Sequence, residues 1–479
     1  MAYDAIVIGA GPNGLAAGIA LQQQGLAVLI LEGHAQPGGG LRTAELTGPG
    51  YWSDVCSAIH PLAIGSPFLK TLPLADFGLE YLQPPVLAAH PLDDGPAGVL
   101  LHDVAATATA LGADGPAYRR LMEPLVQRWP SIAGSILGPL SIPRHPLRMA
   151  AFGLQGLPAV QQLMKPFQTP AARGLFAGMA AHSFLSLDQA TTAAVALVLL
   201  INGHLGGWPI PKGGSQSIAH AMTSYFLSLG GQLQTGHYVR SLDELPPAKA
   251  VFFDTSVQHL VDIAGASLPA FYRWQLKQFR TGPGVFKIDW SLSGPVPFKD
   301  EACRRAGTVH LGGTAAEIAR SEAAVNAGRL ADQPFVLLAQ QSRFDPTRAP
   351  EGHEVLWGYC HVPAGSTADR TAAIENQVER FAPGFKDLVI NRHTFNTQEL
   401  QAYNPNYIGG DINGGLLDIW QLFTRPALRA SPYRAGKKGL YLCSASTPPG
   451  GGVHGMCGFH AARRALKDIW KIDLKLENN

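Results

Sequence analysis

Short apolar runs and one helix-favouring stretch alternate over the first 32 residues. The runs AIVI (residues 5–8) and AVLIL (27–31) contain no polar residue, which is typical of strands buried on both faces of a parallel sheet. Between them, residues 15–24 favour a helix, and Gly25 is a natural helix stop. The pattern predicts a β–α–β unit at the start of the chain.

Two later regions have a similar organisation. Residues 210–242 follow the order loop, helix, glycine turn and strand, and AKAVFFDTS (248–256) predicts a further strand. Near the end, the glycine-rich stretch TPPGGGVHGMCG (447–458) precedes FHAARRALKDIW, which favours a terminal helix. Glycines at the start of a helix indicate that something approaches the backbone closely.

The pattern between these regions differs. Residues 80–207 are mostly helical in pattern, and the apolar heart of their longest uncharged stretch, AAVALVLLI (193–201), is too short for a bilayer span of about 20 residues. We therefore expect a buried helix there. Residues 266–404 contain strand-like segments such as VFKIDWSL, whose alternation predicts a sheet with one covered face that walls a cavity.

Composition narrows the classes of function. The chain has 479 residues, 46% of them hydrophobic and 15% charged, with a net charge of +2. The length predicts more than one domain, and the balanced charge argues against a nucleic-acid partner. Five scattered cysteines form no CxxC pair, and a strand follows Met1 almost at once. A cytoplasmic protein without a targeting peptide, a metal centre or a disulfide framework is expected.

The N-terminal unit carries a dinucleotide-binding motif. Gly9, Gly11 and Gly14 form G-x-G-x-x-G, with Pro12 and Asn13 inside it. These glycines allow a tight turn, close approach of the backbone to a pyrophosphate, and close helix–strand packing. Glu32 ends the second strand 18 residues after Gly14, where an acidic side chain accepts hydrogen bonds from a ribose. The spacing therefore predicts a bound dinucleotide.

The next segment resembles a particular class of dinucleotide-binding protein. AQPGGGLRT (residues 35–43) is similar to the double-glycine and arginine motif of the amine oxidase and phytoene desaturase superfamily, so the cofactor is expected to be FAD. The resemblance implies that Gly39, Gly40 and Leu41 lie along the pyrophosphate and that Arg42 reaches a phosphate. No second G-x-G-x-x-G opens a helix, which argues against a separate nicotinamide domain.

The resemblance extends over essentially the whole chain. The stretches GPGVFKIDWSLSGPVP, TVHLGGTAAEIARSE, NPNYIGGDINGG and GLYLCSASTPPGGGVHGMCGFHAARRAL are similar to the phytoene-desaturase-like subgroup named after pyridine nucleotide-disulfide oxidoreductase domain-containing protein 2. It implies an α/β fold of glutathione-reductase type. A Rossmann-like FAD domain would comprise residues 1–79, 208–265 and 405–479, and a substrate domain would comprise a helical part (80–207) and a sheet part (266–404).

The resemblance also implies roles for residues far from the N-terminus. Val239 would contact the adenine through its backbone, and the residues from Gly451 and Gly452 through Val453 and His454 would face the isoalloxazine ring. One departure is notable. Many flavoproteins have Gly-Asp after the last strand, whereas this chain has Ser444, Ala445 and Ser446. Backbone groups of Ser444 and Ala445 are expected to serve there.

Histidines are the candidates for acid–base chemistry. His60 lies in a segment that approaches the flavin in similar proteins, and His454 begins the terminal helix. His182 and His204 flank an apolar helix and are interpreted as structural. Residues 135–167 are apolar with scattered cations. They predict either peripheral membrane contact, as the resemblance implies, or a helical cap over an ordinary core.

Three functions remain open. The first is an FAD-dependent dehydrogenase or desaturase that transfers a hydride from an apolar, isoprenoid-like substrate to flavin N5 and passes electrons to oxygen, a quinone or another acceptor. The second is an amine-oxidase-like enzyme, whose aromatic cage would draw on Trp52, Tyr359 and Phe459. The third is a flavin-binding interaction protein with little turnover.

Overall fold

A parallel sheet follows from the N-terminal β–α–β unit. The computed structural model describes residues 2–476. The strands of this sheet are β1 (Tyr3–Ile8), β2 (Val28–Leu31), β9 (Gln232–Gln234), β10 (Ala248–Phe253) and β16 (Leu440–Leu442). Their order is β16–β10–β1–β2–β9, with all neighbours parallel. Segments distant in sequence thus join one sheet, as the resemblance to flavoproteins implies.

A second, seven-stranded sheet is mixed. Its strands are β6 (Val86–His90), β7 (Gly98–Leu100), β11 (Gly284–Leu292), β12 (Ala306–Leu311), β13 (Val336–Ala339), β14 (Glu354–Val362) and β15 (Val389–Phe395). The order is β15–β11–β14–β13–β12–β6–β7. Two small antiparallel pairs complete the strands: β3 (Thr43–Glu45) with β4 (Trp52–Asp54), and β5 (Tyr81–Leu82) with β8 (Ile210–Pro211).

Helices cover both sheets. In chain order they are α1 (Pro12–Gln22), α2 (Pro61–Ile64), α3 (Val104–Ala110), α4 (Gly115–Ile136), α5 (Pro146–Gly156), α6 (Val160–Leu163), α7 (Pro170–Ala181), α8 (Thr192–Gly206), α9 (Gln216–Ser228), α10 (Val257–Ala264), α11 (Ala270–Lys277), α12 (Glu301–Arg304), α13 (Ala315–Asn326), α14 (Thr371–Phe381), α15 (Phe385–Leu388), α16 (Thr397–Tyr403), α17 (Ile419–Thr424) and α18 (Met456–Ala465). The predicted buried helix is α8, and the terminal helix is α18.

The fold class predicted from the sequence is confirmed, with two local corrections. The expected helical part also supplies β6 and β7, which are too short and too rich in alanine and glycine to be recognised as strands. The expected one-sided strand β11 is buried along its whole length. Its apolar face packs in the second core, and Lys287 and Asp289 on the other face pair with each other.

The strands of the parallel sheet fall within residues 1–79, 208–265 and 405–479, and those of the mixed sheet within 80–207 and 266–404. The exact division into two domains stays a prediction. Among the described residues, none of the helices has both the length and the apolar character needed to cross a bilayer.

Candidate functional site

A cavity of about 700 Å³ runs between the two sheets. One end is formed by the carboxyl ends of the parallel strands and by the N-termini of α1 and α18. The other end is formed by α8 and the mixed sheet. The predicted site residues in its wall are Gly9, Gly11, Pro12, Asn13, Glu32, Gly39, Gly40, Arg42, His60, Val239, Ser444, Ala445, Gly451, Gly452, Val453 and His454.

Two further predicted residues lie just behind this wall. A Cβ atom at Gly14 would come within 2.0 Å of the carbonyl oxygen of Gly9, so only glycine allows α1 to follow β1 so closely. Leu41 is fully buried in the main apolar core. Both residues therefore support the loop rather than contact a ligand.

The Glu32 carboxylate is hydrogen-bonded to two backbone amides beside the glycine motif. Its Oε2 accepts a hydrogen bond from the Ala10 amide at 2.7 Å, and its Oε1 accepts one from the His34 amide at 2.8 Å. Arg42 Nη2 lies 3.4 Å from Oε1, and its guanidinium stacks over Tyr403 with the carbon 5.3 Å from the ring centroid. The Nη1 atom of Arg42 is buried without a hydrogen-bond partner among the described residues. An anionic ligand in the cavity would supply one.

Asp254 is a site residue that the sequence analysis missed. It directly follows β10, and its Oδ2 accepts a hydrogen bond from the Gly14 amide at 2.8 Å. Burial, assisted by the nearby Glu32, raises the pKa of Asp254 to about 7 although the Gly14 hydrogen bond opposes the rise. The sequence position of Asp254 could have predicted this role, because a polar residue at the carboxyl end of a parallel strand lies at the edge of the sheet where ligands bind.

The two glycine-rich segments meet at the cavity. Gly455 precedes α18 with φ of +66°, and a Cβ atom there would lie 2.9 Å from Ala16 of α1. His454 is buried beside it. Its Nδ1 accepts a hydrogen bond from the Met456 amide at 3.1 Å, so the neutral ring carries its proton on Nε2. Burial lowers the pKa of His454 to about 4, and the ring is therefore neutral at pH 7.

His60 precedes α2 and is also held in one tautomer. Ser215 Oγ donates to the Ser57 carbonyl and lies 2.7 Å from His60 Nε2. Since the single hydroxyl proton is used, His60 Nε2–H donates to the serine. The Nδ1 lone pair has no partner among the described residues. Burial lowers the pKa of His60 to about 4, although the nearby Asp54 partly opposes this.

A buried ion pair between Asp54 and Arg348 supports the segment that carries His60. Asp54 accepts hydrogen bonds from the Ser215 amide at 2.7 Å and the Thr43 hydroxyl at 2.8 Å, and it pairs with Arg348 at 2.8 Å. Both charged side chains are essentially inaccessible to solvent. The pair fixes the segment from β4 to α2, from which His60 enters the cavity wall.

The glycine-rich loop at residues 409–415 has a defined role. The Asp411 carboxylate accepts hydrogen bonds from the amides of Gly282, Asn413 and Gly415. The loop therefore presents Asn413 and Gly414 to the cavity. Asp411 organises the loop rather than contacting a ligand.

The aromatic residues of the cavity differ from those expected. Tyr359 lines it, together with Trp357 and Phe184. Trp52 instead lies on β4 with an exposed ring, and Phe459 packs in the core against Phe68. Both interpretations of these residues as cage members were wrong, because sequence spacing alone does not show which face of a strand or helix points into the cavity.

The cofactor end fits a dinucleotide. A Cβ atom at Gly11 would lie 2.6 Å from Asp254 Oδ2, and one at Gly39 would lie 3.2 Å from Gly11 Cα. The backbone of both loops therefore forms the wall where a pyrophosphate would lie, at the free N-terminus of α1. Val239 and the Ser444–Ala445 backbone line the cavity on either side.

Comparison with known proteins agrees with this geometry. Residues 7–67 match the family model described as an NAD(P)-binding Rossmann-like domain. The chain is 26% identical to pyridine nucleotide-disulfide oxidoreductase domain-containing protein 2 of Rattus norvegicus, with 98% of this chain and 94% of the relative covered. It is 22% identical to a protein of Castellaniella defragrans that is one of the subunits of limonene dehydrogenase, with 97% and 95% covered.

Solved structures show the same fold. Putrescine oxidase bound to putrescine superposes with a TM-score of 0.62 at 17% identity, covering 98% of this chain and all of that one. Fold and site thus define an oxidoreductase that binds FAD. Together these matches support an FAD-dependent oxidoreductase similar to members of the amine oxidase and phytoene desaturase superfamily.

Proposed function

We propose that this oxidoreductase is a dehydrogenase of the desaturase type that oxidises an apolar, isoprenoid-like substrate by hydride transfer to flavin N5. The observation that carries the proposal is the apolar wall at the substrate end of the cavity. It is formed by Ile59, Leu62, Ile136, Leu137, Ala194, Val195, Val198 and Leu199. Such a surface binds hydrocarbon by removing it from water.

The chain's own residues prepare the site for that chemistry. When bound, FAD supplies the two-electron acceptor. The apolar side chains exclude water from the reacting end, and the neutral His454 offers its Nε2–H as a hydrogen-bond donor at the N-terminus of α18. A donor held in advance at a helix N-terminus stabilises negative charge that develops nearby.

Similarity to a limonene dehydrogenase subunit also supports an apolar substrate. This relative is named for limonene, which is an isoprenoid hydrocarbon, and it is similar to this chain over nearly its whole length. The substrate end of the cavity contains His60, His182, Thr191 and Thr308 as polar lining residues. None of these side chain types bears a negative charge, so the described residues at this end provide no counter-ion for an ammonium group.

Amine oxidation is the second candidate. The rings of Trp357 and Tyr359 meet edge to face with centroids 5.2 Å apart, and Phe184 stacks 6.3 Å from Tyr359. Aromatic faces attract an amine when it is protonated. The fold shared with putrescine oxidase is compatible with this candidate.

Anaerobic mixing of the FAD-loaded protein with candidate substrates tests the proposal. We expect bleaching of the flavin absorbance by isoprenoid hydrocarbons or alcohols and not by mono- or diamines. Bleaching by amines alone would establish the second candidate. If no candidate bleaches the flavin and partner binding survives removal of FAD, a flavin-binding interaction protein with little turnover is favoured. Subsequent mixing with oxygen or a soluble quinone identifies the electron acceptor.

An exposed apolar surface supports peripheral contact with an anionic membrane. Thr191 hydrogen bonds both to Leu157, just after α5, and to Leu417, just before α17, so the end of α5 and the start of α17 both adjoin this residue of the cavity wall. Near α5, Ile142 is 96% exposed, and on α17 Trp420 is 74% exposed. The exposed side chains of Arg144 and Arg148 accompany them and complement anionic lipid.

Vesicle flotation tests this contact. The protein should float with vesicles containing phosphatidylserine and remain unbound with pure phosphatidylcholine. Replacing Ile142 and Trp420 by serine should abolish flotation without changing the flavin spectrum. Equal behaviour of the variant and the wild type would leave residues 135–167 as an ordinary helical cap.

A further inference from the structure

Two histidines form a close pair at the substrate end of the cavity. His182 directly follows α7 and lines the cavity, while His310 on β12 is fully buried behind it. The Nε2 atoms of the two rings lie 3.0 Å apart, with ring centroids 5.1 Å apart and nearly perpendicular planes. One imidazole N–H therefore donates a hydrogen bond to the other ring. The expectation that His182 is only structural does not account for this position.

The surrounding backbone holds the pair in place. A Cβ atom at Gly178 of α7 would lie 2.7 Å from His310 Nδ1, so only glycine lets the helix cover that ring. Phe184, two residues after His182, has φ of +62° and also lines the cavity. A bulky residue in the left-handed region is strained, and such strain is concentrated at functional sites. The turn therefore places His182 in the cavity wall, with His310 packed behind it.

The hydrogen-bond partners of the ring nitrogens determine the tautomers of His182 and His310. His310 Nδ1 is buried beneath Gly178 and has no partner among the described residues. A buried N–H without a partner is less favourable than an unpaired lone pair. His310 therefore carries its proton on Nε2 and donates it to His182 Nε2. The neutral His182 must then carry its own proton on Nδ1, which enters none of the described hydrogen bonds.

We propose that His182 Nδ1–H binds a single neutral oxygen atom, a hydroxyl or a carbonyl, of an otherwise apolar substrate. The proposal rests on the proposed function, and it narrows the substrate class from hydrocarbons to oxygenated apolar molecules. A donor in an apolar wall discriminates strongly, because a ligand without an acceptor leaves the buried N–H unpaired.

Charge supports the choice of a neutral oxygen over a carboxylate. Burial, assisted by the nearby His361, lowers the pKa of His182 to about 3. The ring is therefore uncharged at pH 7. The other titratable groups near the pair are His90, which adjoins His310 on β6, and His361, which hydrogen bonds to Glu322 of α13 at 2.8 Å. The pair itself therefore offers no cation for a carboxylate.

Ligand binding to the FAD-loaded, dithionite-reduced protein tests the proposal without turnover. The probes are geraniol and 2,6-dimethylocta-2,6-diene, which has the same carbon skeleton without the hydroxyl. We expect the wild type to bind geraniol at least about tenfold more tightly, equivalent to about 1.4 kcal/mol. In His182→Phe the two affinities should agree within about twofold, while His182→Asn, whose amide can replace the Nδ1–H donor, should retain part of the preference.

His204→Phe is the matched control. His204 is a buried histidine that pairs with Tyr118 at 2.7 Å behind the cavity, so this variant should keep the wild-type preference. An unchanged preference in His182→Phe, or none in the wild type, overturns the inference while hydrocarbon binding leaves the proposed function intact. If neither probe binds the wild type, both are overturned.

Nitrogen-15 NMR of histidine-labelled protein gives an independent answer without any ligand. At pH 7 we expect protonated Nδ1 and unprotonated Nε2 for His182, and the reverse for His310. Assignment uses the His182→Phe and His310→Phe variants, which remove one set of signals each. An Nε2-protonated His182 overturns the inference even if geraniol binds.

Discussion

Gly458 of α18 lies directly against the backbone of Asn13 in α1. A Cβ atom at Gly458 would be 1.8 Å from the Asn13 carbonyl oxygen and 2.9 Å from the Ala17 amide nitrogen. The two helices that begin at the cofactor end of the cavity are thus in backbone contact. The first and last parts of the chain form one site because this contact has no room for a side chain.

Gly458→Ala should therefore separate the two helix N-termini. We expect a loss of about 3 kcal/mol in the free energy of unfolding, as for an overpacked core, and reduced FAD content after purification. Chemical denaturation and the absorbance ratio of flavin to protein measure the two effects. Gly134→Ala is the control, because Gly134 lies inside α4 with open space around it and alanine favours helices.

The importance of Gly458 was not predictable from its neighbours in sequence. The glycines at 451, 452 and 455 precede the helix and indicated a close approach of the backbone. Gly458 lies inside α18, where a glycine ordinarily only weakens a helix. Position 458 requires glycine because of a tertiary contact with α1, more than 440 residues away in sequence. No local sequence pattern predicts such a contact.

Glu32→Gln should weaken both the loop and FAD binding. The carboxylate accepts hydrogen bonds from the Ala10 and His34 amides with its two oxygens, whereas an amide retains only one acceptor. We expect FAD affinity to fall by about 1–3 kcal/mol, measured by quenching of flavin fluorescence on titration. Glu80→Gln, at a surface pair with Lys212, should leave the affinity unchanged. Unaltered affinity in Glu32→Gln would exclude Glu32 from the site.

Arg348→Met should leave Asp54 buried and unpaired. We expect a loss of about 3–5 kcal/mol in the free energy of unfolding at pH 7, against less than about 1 kcal/mol for Arg343→Met at the more exposed Glu354 pair. Burial alone would raise the pKa of Asp54, but Arg348 and the hydrogen bonds lower it below its usual value. The stabilisation is therefore present above about pH 4 and is lost as the pH falls further. A difference between wild type and variant that does not shrink in acid would contradict this account.

The sequence identified the cofactor end better than the substrate end for a physical reason. Dinucleotide binding depends on glycines and an acid at fixed spacing within one β–α–β unit, so Gly9, Gly11 and Glu32 could be named directly. The substrate end instead combines Trp357 and Tyr359 of β14 with His310 of β12 and His182, which follows α7. Strand register brings Tyr359 near His310, because Leu337 pairs with both, and His182 reaches them from the end of α7.

His454→Asn separates two roles of one histidine. The asparagine oxygen can still accept from the Met456 amide, so α18 and FAD affinity should be preserved, while the Nε2–H donor is lost. We expect flavin reduction by substrate to slow by about a hundredfold, measured by anaerobic stopped-flow absorbance. Because the pKa of His454 is about 4, the wild-type rate should not fall between pH 8 and pH 5 through this group. His460→Asn, on the same helix but bonded to the Leu137 carbonyl, is the control.

Asp254→Asn should stabilise the protein at alkaline pH. Burial raises the pKa of Asp254 to about 7, so the folded state favours the protonated form. The resulting penalty is absent below the unfolded pKa of about 4, grows by up to about 1.4 kcal/mol per pH unit, and is complete above pH 7. The asparagine oxygen can still accept a hydrogen bond from the Gly14 amide without carrying charge.

Thermal unfolding temperatures of the wild type and of Asp254→Asn, measured from pH 4 to pH 8.5, should therefore diverge with rising pH. Removing a negative charge beside the pyrophosphate position should also tighten FAD binding at pH 8 more than at pH 6. Parallel unfolding curves across this range would show that Asp254 stays ionised in the folded protein.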